Sequence, residues 1–303
     1  MRNPRPNLFV VGAPKCGTTT LDALLRQHPD IYMAEKEPHY FATDMRGRGR
    51  SVRVSDLDTY AERFGEATTE SVVGETSPWY LYSSSAAENI FEYNPEAKIL
   101  CVFRDPIDLI QSLHQMNVTN TTEDRVDLAD ALAVEARRHQ GEEIPENTWL
   151  IWDLFYTDVV RFGGQLSRYE SRFDSQRIRV LVFERFVSET DTVLEEVFEF
   201  LGVDPTVRPS SEAQNTAHPV RNLGIRQLIR RYRLGNLLDN IPPWLRGLGG
   251  EFLSLFTSSV DYERDPHSST ANRLREELAD EVAALDERVS QNLYRWWSFE
   301  SPE

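Results

Sequence analysis

Three short apolar runs rich in β-branched residues punctuate the chain: LFVVGAP (8–14), AKILCVFRDP (97–106) and RIRVLVFERF (177–186). They are largely continuous rather than alternating, the pattern of strands buried on both faces of a parallel sheet. Helix-period patterns follow them. TTTLDALLRQHP (18–29) spaces Leu21, Leu24 and Leu25 along one face and stops at Pro29. A helix over Ile107–Met116 is predicted after the second run. TDTVLEEVFEFLG (190–202) aligns Val193, Leu194, Val197, Phe198 and Leu201, with Gly202 at the C-cap position. A last helix over about 270–294 lines up Leu274, Leu278, Val282, Leu285, Val289 and Leu293. Residues 45–58 read as a polar, glycine-containing loop. The acidic stretch Thr119–Asn147 reads as an inserted surface segment with a helix around Leu128–His139. The alternation predicts an α/β fold, a mostly parallel central sheet flanked by helices, in one domain over 1–303. Surface insertions are expected at about 45–70 and 118–150, and a helical C-terminal part over about 223–303.

Composition narrows this picture. The 303 residues are 40% hydrophobic and 27% charged, which suits a globular domain and excludes a disordered or fibrous chain. No window approaches the roughly 18 apolar residues of a membrane span. The N-terminus, MRNPRPNLFVV, runs straight into the first strand without signal-peptide architecture, so a cytoplasmic protein is expected. A net charge of −16 disfavours nucleic acid and anionic membranes as partners. Only Lys15, Lys36 and Lys98 are lysine; the remaining 30 of 33 cations are arginine. A salt-rich cytoplasm and a GC-rich genome's arginine codons both produce this balance. Cys16 and Cys101 fit a reducing compartment, and no metal-site spacing exists.

The candidate chemistry lies between the first strand and the first helix. Gly12-Ala13-Pro14-Lys15-Cys16-Gly17-Thr18-Thr19 places a turn and a helix N-terminus together, where backbone N–H groups converge on a phosphate or sulfate. Gly12 and Gly17 match the glycines of the nucleotide-binding G-x-x-x-x-G-K-[ST] loop, but Thr18 stands at its lysine position and the lysine is Lys15. That displacement argues against a magnesium- and ATP-dependent kinase. Arg104, at the end of the second run, is a bidentate anion ligand beside another helix start. Ser112 follows eight residues later and supplies a hydroxyl. Ion pairing with Asp105 or Asp108 is the plainer reading of Arg104.

PKCGTTTL (14–21) resembles the 5′-phosphosulfate loop of sulfotransferases that use 3′-phosphoadenylyl sulfate, and CVFRDPIDLIQSL (101–113) resembles their 3′-phosphate segment. EKEPHYF (35–41), GETSPWYLY (74–82), RVLVFERF with FEFLGVD, and the C-terminal helix before Trp296-Trp297 extend the likeness over most of the chain. The pattern leans toward prokaryotic members and the heparan-type, glycan-modifying branch. The resemblance implies a P-loop-type three-layer fold and sulfonate transfer to a hydroxyl or amine of an acceptor, a glycan or a small molecule. It implies that Lys15, Cys16, Gly17, Thr18, Thr19 and Thr20 hold the 5′ end, that Arg104, Ser112 and Arg221 hold the 3′-phosphate, and that no metal is required.

In such a transfer, positioning and charge stabilisation carry the work. Lys15 puts a compact cation on the leaving phosphate, which a planar arginine fork does less well. Glu37 matches the glutamate of the heparan-type Glu-x-His-x-Phe segment and leads as general base. His39 either replaces or orients it, and His114 is a weaker rival on the opposite face of its helix from Ser112. Tyr40, Phe41, Trp79 and Tyr80 are candidate acceptor or adenine contacts, although aromatics at strand ends are more often core. Arg46, Arg48, Arg50 and Arg53 read as a solvated loop before an anionic-glycan site. Cys16, at a helix start beside Lys15, is expected to have a lowered thiol pKa. The rival functions are the kinase with a divergent loop and a catalytically silent nucleotide-binding scaffold.

Overall fold

Among the described residues five strands carry the fold: β1 (Leu8–Gly12), β2 (Ile31–Met33), β3 (Val72–Thr76), β4 (Lys98–Phe103) and β5 (Ile178–Val182). They form one sheet in the order β2-β3-β1-β4-β5, and every neighbouring pair is parallel. A computed structural model describes residues 4–35, 37–45, 47, 53–210 and 264–301. In it the helices are α1 (Thr18–Leu25), α2 (Leu57–Glu62), α3 (Ala86–Tyr93), α4 (Pro106–Thr119), α5 (Leu128–Ala133), α6 (Glu135–His139), α7 (Tyr156–Val159), α8 (Phe162–Glu170), α9 (Phe183–Ser188), α10 (Thr190–Leu201), α11 (Ser269–Val289) and α12 (Leu293–Trp296). This is the expected α/β fold, a parallel sheet with flanking helices. The described residues fall in two compact units. One takes those within Met1–Ile110, Thr157–Gln214 and Pro266–Glu303, the other those within Gln111–Tyr156 and Asn215–Asp265.

The first unit holds the sheet. Central β1 is flanked by β3 and β4, with Leu8 opposite both Gly74 and Lys98, and all five of its residues are buried. That is why its sequence is continuously apolar. β2 and β3 were not foreseen as strands: β2 is three residues long, and β3 ends in Glu75 and Thr76, polar residues that are nevertheless buried. β5 stops at Val182, earlier than its apolar run suggests. From Phe183 the burial follows a helical period, with Phe186 inside and Val187 exposed. The predicted stripe on α11 is present, with Leu274, Leu278, Val282 and Leu285 all buried. That helix ends at Val289 rather than 294, because Ser290 turns left-handed (φ 50°). Leu293 is buried from α12 instead.

The second unit contains the C-terminal part of α4, with α5 and α6. The predicted single helix around 128–139 is two, broken at Val134 (φ −101°, ψ −2°). Its interior is organised by charge: Arg138 donates two bonds of 2.7 Å to Glu123, and both side chains are fully buried. Tyr156 donates to the same carboxylate at 2.9 Å. Burial pushes the Glu123 carboxyl up, but Arg138 outweighs it and holds it below the usual range.

Parallel pairing puts all five strand C-termini on one edge of the sheet, the edge where open α/β sheets bind ligands. The segments singled out from sequence leave that edge: 12–20 after β1, 35–41 after β2, 74–80 at the end of β3 and Arg104 after β4.

Candidate functional site

The loop after β1 is shaped by residues with left-handed backbone. Gly17 is the N-cap of α1 with φ 76°, and no side chain caps the helix there. The conformation needs glycine twice over, because a Cβ there would lie 2.6 Å from the Phe183 ring. Lys15 is also left-handed (φ 63°), and its carbonyl accepts a bond of 3.0 Å from Arg104 Nη1. The same guanidinium lies over Phe183, 4.8 Å from the ring centre, and its Nη2 is 3.5 Å from Asp108 Oδ2. Arg104 Nε is buried and has no partner among the described residues. Arg104 therefore both anchors the Lys15 loop and pairs with Asp108. Thr18 is buried at the start of α1, Thr20 is half-buried and Thr19 is exposed.

Cys16 departs from expectation. Its thiol is fully buried, and burial pushes its pKa well above the ordinary thiol range, outweighing Arg104 and Lys15. It is a packed core group and not an activated thiol.

Behind this loop two carboxylates fasten the C-terminus. Glu184 accepts the Asp105 N–H and the Trp297 indole N–H, each at 3.0 Å, and burial pushes its pKa up to about 7. Asp105 accepts from Ile107 N–H at the start of α4 (2.8 Å) and from the Ser298 N–H and hydroxyl (2.7 Å each).

After β2, Glu37 and His39 face each other, with His39 Nε2 3.4 Å from Glu37 Oε2. Glu37 is exposed and His39 is buried, and both have positive φ, 58° and 46°. His39 Nδ1 is buried without a partner among the described residues. Beneath them Glu75 is fully buried and accepts hydroxyls from Tyr60 (2.6 Å), Ser77 (2.7 Å) and Tyr80 (3.0 Å). Burial raises the pKa of Glu75, against those three hydroxyls and the nearby His39.

The aromatic contacts divide. Phe41, Trp79 and Tyr80 are core residues: Phe41 packs on Phe9, Tyr60, Tyr80 and Tyr93, and the Tyr80 hydroxyl is committed to Glu75. They have no surface to offer an acceptor. Tyr40 is half-buried, stacked on Tyr60 at 4.6 Å. In the second unit His114 is fully buried, with Nε2 2.8 Å from the Arg125 carbonyl. There too Ser112 is buried, and Arg264 approaches its hydroxyl at 3.4 Å. Arg221, Lys36, Arg46, Arg48 and Arg50 lie outside the described residues.

Four residues of this region escaped the sequence reading. Phe183 and Glu184 sit just past β5, within a run that reads as continuous strand. Glu75 and Ser77 lie inside GETSP, a quoted motif whose polar residues carry no outward sign of burial. Asp105 was visible only as a partner for Arg104.

Comparison with known proteins agrees with this architecture. The crystal structure of a sulfotransferase from Alicyclobacillus acidocaldarius superposes with a TM-score of 0.70 and 26% identity, covering 97% of this chain and 99% of that one. The membrane-associated sulfotransferase kil1 of Dictyostelium discoideum is 30% identical over 117 residues, 37% of this chain and 23% of that protein. Human carbohydrate sulfotransferase 15 is 23% identical over 284 residues, 72% of this chain and 49% of that protein. The chain thus spans half or less of the length of these two curated relatives. No helix among the described residues is long and apolar enough to cross a membrane. The model of the sulfotransferase family matches residues 6–207, across the loop after β1, the Glu37–His39 segment and Arg104, and the chain belongs to that family.

Proposed function

We propose that the protein transfers a sulfonate group from 3′-phosphoadenylyl sulfate to a hydroxyl or amine of a carbohydrate. The observation that carries this is the loop after β1, where a left-handed Gly17 starts α1 without a side-chain cap and the lysine is Lys15 rather than a residue at the kinase position. The donor supplies a sulfonate already activated on its 5′-phosphate. The amides at the start of α1, with Thr18, Thr19 and Thr20, hold that phosphate, and the Lys15 ammonium balances the charge that gathers on it. Arg104, and by the motif Ser112 and Arg221, hold the 3′-phosphate. The partnerless Nε of Arg104 suits an anion ligand. Glu37 takes the acceptor proton, and His39 orients it from 3.4 Å. The glycan acceptor is supported by the heparan-type Glu-x-His-x-Phe pattern and by a relative named for carbohydrate.

Calorimetric titration with 3′-phosphoadenosine 5′-phosphate in EDTA, beside ATP with magnesium, tests the donor. Saturable metal-free binding of the bisphosphate, with ATP far weaker, is expected; binding of ATP–magnesium alone would overturn the assignment in favour of a kinase. Sulfonate transfer to desulfated heparin and desulfated chondroitin, with Glu37→Gln and His39→Asn alongside, tests the acceptor side. Turnover undiminished in both variants would remove the base.

A further inference from the structure

Glu75 sits one layer below the proposed base, and its bonding is directional. Glu75 accepts from both Ser77 and Tyr80, so each spends its single hydroxyl proton on it. Their lone pairs then point elsewhere, and both receive backbone amides of one short segment: His39 N–H donates to Ser77 Oγ at 3.1 Å and Phe41 N–H to Tyr80 Oη at 3.2 Å. Tyr60 donates to the same oxygen as Tyr80, yet neither amide bonds to it. The segment so held carries Glu37 and His39 in left-handed conformations that ordinary residues adopt only when their surroundings impose them. Tyr80 also sets its ring edge-on to the His39 imidazole, 6.1 Å between centres at 85°.

We propose that Glu75 is a positioning residue: by fixing the hydroxyl directions of Ser77 and Tyr80 it holds the backbone of 39–41 and thereby the placement of His39 and Glu37. The inference rests on the proposed role of that pair in proton removal. It does not make Glu75 a base, since all three donors around it point inward and no acceptor proton reaches it.

The decisive comparison is Tyr80→Phe against Tyr60→Phe, alike in burial and in removing one hydroxyl from Glu75. NMR on the full chain reads amide exchange at His39 and Phe41 and the His39 ring resonances, assigned with His39→Asn; none of this needs an acceptor. Tyr80→Phe and Glu75→Gln are expected to speed exchange of the Phe41 amide by on the order of tenfold or more and to shift the His39 ring, whereas Tyr60→Phe leaves both near wild type. In sulfonate transfer to desulfated heparin, Tyr80→Phe and Ser77→Ala should lower kcat about tenfold with bisphosphate affinity unchanged, and Glu75→Gln by up to ~100-fold. Equal effects of Tyr60→Phe and Tyr80→Phe, or none from either, would overturn the proposal and leave Glu75 a plain core group. Should Glu75→Gln not fold, the tyrosine pair and Ser77→Ala decide alone. Turnover lost in Glu37→Gln but retained in Tyr80→Phe sinks this inference only. Turnover retained in both Glu37→Gln and His39→Asn sinks the base assignment beneath it.

Discussion

Replacing Gly17 with alanine tests the geometry of the anion loop with a single methyl group. Two costs arise at that position. An L-residue at φ 76° gives up roughly 1–2 kcal/mol to left-handed backbone. The new Cβ would also lie 2.6 and 2.8 Å from Phe183 Cε2 and Cδ2. Carbon contacts settle at about 3.5–4.0 Å, so the ring must retreat by roughly 1 Å, with an overpacking cost of about 1–3 kcal/mol. The ring cannot move alone, because Arg104 rests on it and also holds the Lys15 carbonyl. Retreat therefore disturbs both proposed phosphate contacts together. A combined cost of ~2–5 kcal/mol, taken up by the bound form, corresponds to a loss of about 30-fold to over 1,000-fold in bisphosphate affinity. Calorimetry on Gly17→Ala, Phe183→Leu and the double variant separates the terms. The double variant should regain the steric part and keep a deficit of about 5–30-fold from the backbone. Affinity of Gly17→Ala within threefold of wild type, at unchanged thermal midpoint, would refute the reasoning.

Further predictions follow from the same contacts. Lys15→Ala should cut turnover by about 10²–10³-fold, the scale of losing one charge-stabilising donor, while Arg104→Ala should chiefly weaken bisphosphate binding in calorimetry. In the second unit Arg138→Met strands the buried Glu123 carboxylate and should cost about 3–5 kcal/mol in urea unfolding; the pair is mis-assigned if the loss is below 1 kcal/mol. Glu184 gives a pH dependence. Its folded pKa, about 7, lies above the ordinary 4.5, so the fold binds a proton that the unfolded chain releases. The associated stability is present below about pH 4.5 and is lost as pH rises through 7. Between pH 5 and 8 the thermal midpoint of wild type should fall relative to Glu184→Gln; parallel curves would show that Glu184 titrates normally.

What could be read from the sequence was what one strand or helix decides by itself. The runs at 8–14 and 97–106 are apolar because β1 and β4 are buried in the middle of the sheet, that at 177–186 holds the half-buried edge strand β5, and the stripe on α11 is a helix period written over 21 residues. The Gly12–Thr19 loop was legible because anion binding needs few residues in fixed order. Groups made by tertiary contact were not legible. Glu75 looks like a surface residue until Tyr60, Ser77 and Tyr80 close around it. Cys16 has the neighbours of an activated thiol, but its side chain points inward, and desolvation outweighs a nearby cation once water is excluded. Phe41 and Tyr80 show the same effect: an aromatic at a strand end is written alike whether it faces a ligand or the core.

The strand order has a consequence for how such a chain can change. The donor-side segments leave β1 and β4, whereas Glu37, His39 and the residues that brace them leave β2 and β3 on the other half of the sheet. Under the proposed assignments, the two halves of the reaction are inherited as separable stretches of edge, joined only at the β1–β3 seam. The β2-to-α2 segment could then be exchanged between relatives to retarget the acceptor, with the nucleotide loop left untouched. A graft bounded by Met33 and Leu57 would be the natural unit, provided it travels with the Glu75, Ser77 and Tyr80 positions that receive it.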